Sequence, residues 1–149
     1  MLPKDRIVVL PMTKNDIMQV AEIEKECFSM PWSVQAFELE LEKTDAVTLV
    51  AHCESKVVGF VNVNIVLDEM YLNNIAVTSS YRGAGIGGIL LKSLEEIARM
   101  RVSFITLEVR ASNEAAKSLY QRSGFEIVGR RKNFYEKPLE DAILMTKHL

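Results

Sequence analysis

The chain has 149 residues, of which 48% are hydrophobic and 26% are charged, and its formal net charge is -2. This length and composition favour one globular domain over residues 1–149 and exclude a disordered chain. The balanced charge argues against nucleic-acid binding, and no apolar run approaches the ~20 residues of a membrane span, so we expect a cytoplasmic protein that binds neither nucleic acid nor membranes.

The first third of the chain predicts one strand followed by two helices. Residues 6–12 are mostly apolar and rich in β-branched side chains, and the N-cap pattern after them opens a helix that reaches Phe28. Pro31 ends this helix, because proline lacks the N–H that a helix interior needs. Ser33 is a suitable N-cap for a second helix that extends to Lys43.

The middle of the chain predicts three strands and an amphipathic helix. Residues 46–53 and 57–67 are β-rich runs with a short polar spacer between them, which favours an antiparallel hairpin. Residues 70–77 predict the next strand. A glycine-rich loop follows, and apolar side chains at helical spacing then predict a helix over residues 85–100.

The last third predicts a strand, a short helix and two more strands. Residues 104–109 alternate in polarity, which places Glu108 on the face opposite the aliphatic side chains. Asn113 is a suitable N-cap for the short helix, and residues 125–131 and 142–145 predict the final strands. The predicted order is therefore β-α-α-β-β-β-α-β-α-β-β.

The two cysteines and two histidines form no metal-binding pattern. Cys27 and Cys53 have no ligand spacing with His52 or His148. His52 and Cys53 are adjacent in a strand, so their side chains point to opposite faces and do not suit a base and its nucleophile. We expect no metal and interpret both cysteines as buried apolar thiols.

The loop at residues 82–88 reads Arg-Gly-Ala-Gly-Ile-Gly-Gly and lies between a predicted strand and a predicted helix. Glycines there leave backbone N–H groups open, and the helix N-terminus directs them at an anion such as a pyrophosphate. A flexible turn is the alternative interpretation. A Walker A loop is excluded, since no Gly-Lys-Ser or Gly-Lys-Thr follows the glycines.

The same loop also matches the dinucleotide-binding pattern Gly-x-Gly-x-x-Gly. Glu108 follows Gly88 by 20 residues, where that fold places its ribose-binding acid. However, five residues separate Val77 from Gly83, and only 41 residues follow Glu108. This is too little chain to complete a doubly wound sheet, which argues against a dinucleotide fold.

Further motifs occur elsewhere in the chain. In chain order they are residues 28–33, 74–77, 107–113, 119–120, 124–125 and 140–142. With these motifs the chain resembles the GNAT superfamily, whose acetyl-CoA signature Gln/Arg-x-x-Gly-x-Gly/Ala is matched by Arg82, Gly85 and Gly87. Within that superfamily it is most similar to the bacterial ribosomal-protein alanine N-acetyltransferases. The resemblance implies an α/β (α+β) fold with a central mixed, largely antiparallel seven-stranded sheet flanked by about four helices.

The resemblance also implies an activity and its residues. The enzyme would transfer acetyl from acetyl-CoA to the N-terminal α-amine of a protein, an alanine of a small-subunit ribosomal protein, by direct attack in a ternary complex. Glu108 resembles the general base, and Tyr120 resembles the residue that protonates the CoA thiolate. Residues implied to bind acetyl-CoA are Ile75, Ala76, Val77, Arg82, Gly83, Ala84, Gly85, Ile86, Gly87 and Asn113. Residues implied on the substrate side are Trp32, Tyr71 and Tyr135.

Two departures from the family pattern leave alternatives open. Tyr71 stands where many relatives carry an acid, so it is a second candidate base, and Ala84 replaces a frequently basic residue. Glu108 could instead be a salt-bridged strand residue, Tyr120 and Trp32 core residues, and Asn113 a plain N-cap. A small-molecule amine acetyltransferase and a catalytically silent CoA-binding module are the alternative functions, and a homodimer is left open.

Overall fold

A computed structural model describes residues 6–149 of the chain. Its strands and α-helices follow the predicted order. The strands are β1 (Ile7–Pro11), β2 (Ala46–Cys53), β3 (Lys56–Val66), β4 (Glu69–Val77), β5 (Phe104–Arg110), β6 (Glu126–Glu136) and β7 (Leu139–His148). The helices are α1 (Ile17–Cys27), α2 (Val34–Glu42), α3 (Ile86–Ala98) and α4 (Glu114–Arg122).

All seven strands form one sheet in the order β1-β2-β3-β4-β5-β7-β6. Every neighbouring pair is antiparallel except β4 and β5, which run parallel. The mixed, largely antiparallel sheet is confirmed. A doubly wound dinucleotide fold is excluded, because that fold requires a mostly parallel sheet.

The parallel pair separates before its strands end. β4 and β5 pair only where residues 69–72 face residues 104–107. Beyond this point β4 continues to Val77 and β5 to Arg110, each bonded only to its other neighbour. A register shift in the β3–β4 pairing leaves Asn73 as an extra residue, and such a bulge bends its strand. The two strands therefore diverge and leave a cleft between them.

The sheet is packed on both faces. α3 covers one face with three side chains that are fully buried, Ile86, Leu90 and Leu94. On the other face α1 and α2 pack against the sheet, with Val20 and Phe37 fully buried. Burial of apolar side chains on both faces is the main stabilising contribution to such a fold.

Most predicted bounds agree with the structure, but the last two strands are longer than predicted. β6 runs over Glu126–Glu136 instead of ending at Arg131, and β7 begins at Leu139. β6 is an edge strand whose residues are almost all exposed, so it lacks the alternating apolar pattern that marks a strand in sequence.

The prediction that both thiols are buried is wrong, because Cys27 and Cys53 are only half-buried. Cys27 ends α1 at the rim of the cleft, where the Arg82 guanidinium lies 3.1 Å from its Sγ atom. Over residues 6–149 no helix is long and apolar enough to cross a membrane. The same residues contain no group of three or more potential metal ligands.

Candidate active site

The cleft between β4 and β5 has a volume of about 760 Å³. Its walls come from the end of α1 and the loop after it, the diverging strands, α4 and the end of β6. Nine residues singled out from the sequence line it: Trp32, Ile75, Ala76, Val77, Gly87, Glu108, Asn113, Tyr120 and Tyr135. A second cavity of about 570 Å³ lies along α1 and contains none of the predicted site residues.

The glycine-rich loop enters α3 through two left-handed residues. Gly83 and Gly85 both have φ of +81°, a conformation that side chains other than glycine adopt only with strain. Gly85 is the N-cap of α3, and no side chain in the described part of the chain caps this end. The first N–H groups of a helix have no acceptor within it, so the loop offers unpaired donors to an anion.

The space around the glycine-rich loop is consistent with binding an anion there. A Cβ added to Gly83 would meet no atom within 4 Å, so that side of the loop is open. At Gly87 an added Cβ would lie 2.9 Å from Leu119, and α3 therefore packs closely on α4. Ile86 as a whole residue is 1% exposed and belongs to the hydrophobic core.

The Arg82 side chain is engaged by the protein itself. Its Nε atom donates to the carbonyl oxygen of Val77 at 3.1 Å, and its Nη2 atom lies 4.0 Å from a carboxylate oxygen of Glu26. These contacts hold the start of the loop against the end of β4 and against α1. Arg82 thus positions the loop, while the glycines supply its open backbone.

The end of β4 presents unpaired backbone donors to the cleft. Thr78 donates its N–H to Val58 on β3 at 2.9 Å. Because successive N–H groups of a strand point to opposite edges, those of Val77 and Ile75 point away from β3 and towards the divergence from β5. Donors placed in this way can bind an oxygen atom on which negative charge develops.

Glu108 and Tyr71 form a hydrogen-bonded pair beside the cleft. The Tyr71 hydroxyl donates to Oε1 of Glu108, whose side chain is only 9% exposed. Oε2 has no hydrogen-bond partner among the described residues, and the nearest cation, Arg131, lies 3.7 Å from it. Burial, together with the hydrogen bond to Glu108, raises the pKa of Tyr71 well above its usual range. Tyr71 is therefore a neutral phenol that holds one carboxylate oxygen, while the other accepts no hydrogen bond from the described residues.

Tyr120 and Asn113 lie on the α4 side of the cleft. Tyr120 is 5% exposed and packs against Phe125 with ring centres 5.6 Å apart. Burial raises the pKa of Tyr120, so its hydroxyl keeps its proton at neutral pH. The Asn113 side-chain oxygen accepts from the Ala116 N–H at 3.1 Å, which makes Asn113 the N-cap of α4.

A buried carboxylate that the sequence reasoning missed, Glu24, supports the Trp32 side of the cleft. Its residue is 1% exposed, and its two oxygens accept from the Trp32 N–H at 2.9 Å and from Asn74 Nδ2 at 2.7 Å. Burial raises the pKa of Glu24, and the two hydrogen bonds offset only part of that rise. An acid aligned with Val20 and Cys27 on the apolar face of α1 was the available signal.

Tyr135 faces the cleft from the end of β6. The Arg110 guanidinium lies 4.4 Å from the centre of its ring, a cation–π contact. Burial and the nearby Glu108 carboxylate raise the pKa of Tyr135. Tyr71 and Tyr135 thus stand near the Glu108 carboxylate with their hydroxyls protonated.

Comparison with known proteins shows which family has this sequence. The acetyltransferase (GNAT) family matches residues 17–125. The chain belongs to this family. A Bacillus subtilis (strain 168) relative, provisionally named a [ribosomal protein bS18]-alanine N-acetyltransferase, is 36% identical over 144 residues, with 95% of each chain covered.

Solved structures give the same assignment. The chain is similar to the ribosomal-protein-S18-alanine N-acetyltransferase of Escherichia coli, with a TM-score of 0.87 and 32% identity over 95% of this chain and 93% of the other. The fold is also that of Arabidopsis thaliana NAA60 in complex with acetyl-CoA, with a TM-score of 0.87, 22% identity and coverage of 96% and 98%. The chain is therefore a GNAT acyltransferase related to the ribosomal-protein alanine N-acetyltransferases.

Proposed function

We propose that this GNAT enzyme transfers acetyl from acetyl-CoA to the N-terminal alanine of ribosomal protein bS18, by direct attack of the α-amine in a ternary complex. The observation that carries the proposal is the cleft itself. Glu108 and the last residues of β4, which carry the unpaired amides, line the same cleft. The Escherichia coli and Bacillus subtilis relatives support the choice of acceptor through their names.

The chain's own residues fit acetyl-CoA. The open loop at Gly83, the left-handed Gly85 and the uncapped N-terminus of α3 suit its pyrophosphate. Bound acetyl-CoA would supply the acetyl group as a thioester. The amides of Ile75 and Val77 would orient its carbonyl oxygen and stabilise the negative charge that develops there.

Two side chains would move the protons. Glu108 would take one from the acceptor amine through Oε2, while Tyr71 fixes the other carboxylate oxygen. Tyr120 would give its proton to the departing thiolate, and its raised pKa means only that the hydroxyl is protonated before this step. An N-terminal amine has a pKa of about 8 against about 10.4 for lysine, so it is the more readily deprotonated acceptor.

A ribosomal acceptor would place the enzyme in the cytoplasm. We further propose that residues 1–149 form one catalytic domain, because a single sheet connects β1 to β7. Trp32, Tyr71 and Tyr135 would stand on the acceptor side of the cleft.

A thiol-release assay with acetyl-CoA tests the proposed function. The acceptors compared are a peptide beginning with the bS18 N-terminal sequence, the same peptide with a blocked N-terminus and an internal lysine, and a polyamine. We expect the free N-terminal alanine peptide to react with the highest kcat/KM. Preference for the polyamine would indicate a small-molecule acetyltransferase, and acetyl-CoA binding without release of thiol on any acceptor would indicate a silent module.

A further inference from the structure

The side chain of Arg110, the last residue of β5, is 25% exposed and binds the turn between β6 and β7. Its Nη1 atom donates to the Pro138 carbonyl at 2.9 Å, and its Nη2 atom donates to the Lys137 carbonyl at 3.1 Å. Nη1 also lies 3.3 Å from Glu140 Oε1, and the guanidinium stacks on Tyr135. One side chain thus holds the whole turn between β6 and β7.

The same turn is joined to the loop that follows α1. Ser29 Oγ donates to the Lys137 carbonyl at 3.0 Å, the oxygen that Arg110 also binds. The loop after α1 and the end of β6 both line the cleft. The Lys137 carbonyl therefore connects two walls of the cleft, and Arg110 fixes its position.

A third contact extends the support to the loop between β5 and α4. Glu140 accepts from the Ser112 N–H at 2.5 Å, and its other oxygen faces Arg110. The positive charge of Arg110 is accordingly paired with Glu140, so it is not available to attract a substrate. Its contribution is geometric.

We propose that Arg110 is a positioning residue for the acceptor, a role that rests on the proposed function of the cleft. It holds the β6–β7 turn and the Tyr135 ring against the loop after α1, and so shapes the part of the cleft that receives the acceptor. Arginine suits this role because its planar fork can bind two carbonyls and a carboxylate while its face stacks on a ring. A lysine has a single ammonium and cannot make these contacts together.

The test compares Arg110→Met and Arg110→Lys with Arg99→Met, a control in which Arg99 pairs with Glu95 on α3. Steady-state kinetics on the N-terminal peptide and calorimetry with acetyl-CoA are measured. We expect Arg110→Met to raise the acceptor KM about tenfold or more, the cost of losing charge-assisted hydrogen bonds, with acetyl-CoA Kd within about twofold. The acceptor KM of Arg110→Lys should lie between those of Arg110→Met and the wild type, and the KM of Arg99→Met should match the wild type.

Trp32 provides a second measurement that does not depend on activity. It is the only tryptophan of the chain and lies in the loop that Ser29 joins to the turn. We expect its fluorescence emission to change in Arg110→Met and, to a smaller extent, in Ser29→Ala, but not in Arg99→Met. If Arg110→Met does not fold, Arg110→Lys and Ser29→Ala carry the test.

An unchanged acceptor KM, or an equal loss of acceptor and acetyl-CoA affinity in folded variants, would overturn the role of Arg110. So would Trp32 emission that is identical in all the variants. Failure of the proposed function would look different, because the wild type would then not acetylate the N-terminal peptide. The fluorescence comparison would still decide whether Arg110 orders this side of the cleft.

Discussion

Glu108 and Tyr71 lie on neighbouring parallel strands, and the structure makes these two candidate bases one hydrogen-bonded pair. The raised pKa of Tyr71 favours the phenol as a donor at neutral pH. Glu108 accepts this donor through Oε1 only, and its Oε2 atom accepts no hydrogen bond from the described residues. Sequence reasoning left the choice between them open, because no local pattern shows that side chains 37 positions apart will meet.

Glu108→Gln should lower kcat by about 10² to 10⁴, the range for loss of a general base, and should leave acetyl-CoA binding unchanged. Glutamine keeps the size of the side chain but has no carboxylate to take the proton. Tyr71→Phe removes only the hydrogen bond to Oε1 and should cost less than tenfold. Rapid-mixing kinetics on folded variants measure both. A larger loss in Tyr71→Phe than in Glu108→Gln would show that the tyrosine, not the glutamate, is the base.

At the scale of elements, helix ends were the best predicted features. Ser33 accepts from the Ala36 N–H and starts α2, and Asn113 does the same for α4, both as expected. These caps depend on residues three positions apart, so the sequence contains the whole interaction. Glu24 and Arg110 were missed because each of their partners is eight or more positions away.

Gly85→Asp should weaken acetyl-CoA binding at the start of α3. The substitution adds a negative charge beside the unpaired N–H groups and strains a residue with φ of +81°. Gly85→Asn is the matched control, because asparagine has the same size, tolerates this conformation better and is neutral. Calorimetry should show a larger increase in Kd for aspartate than for asparagine. Equal affinity of both variants and the wild type would place the phosphate site elsewhere.

Glu24 makes the stability of the α1 region depend on pH. Its folded pKa is raised above the ordinary value of 4.5, so the folded state binds a proton more tightly than the unfolded state. At low pH the buried carboxyl group is protonated and does not lower the free energy of unfolding. It lowers that free energy as the pH rises from about 4.5 through its raised pKa. Glu24→Gln cannot ionise, and its amide can pair with Asn74 if the Asn74 amide turns over.

Urea unfolding of the wild type and Glu24→Gln from pH 4 to pH 8 measures this effect. The free energy of unfolding of the variant, relative to the wild type, should increase across that range and then become constant. Glu22→Gln, on the outer side of the same helix, is the control and should show no such trend. A difference that does not vary with pH would mean that the carboxyl of Glu24 is not destabilised by burial.

For the whole molecule, the order of elements was predictable, but the cleft was not. The hairpin of β2 and β3 and the alternation of β5 follow from local patterns, and the buried Ile105, Leu107 and Val109 confirm the latter. The divergence of β4 from β5 depends on the bulge at Asn73 and on pairing between distant segments. No local pattern in the sequence shows where the pairing of two distant strands stops.

The central claim is that this cleft acetylates a protein α-amine, and the site of modification tests it most directly. Intact bS18 is incubated with the enzyme and acetyl-CoA, and peptide mass spectrometry then locates the acetyl group. The account predicts one acetyl group on the N-terminal alanine, absent when Glu108→Gln replaces the wild type over the same interval. Acetylation on lysine side chains, or equal modification by Glu108→Gln, would contradict it.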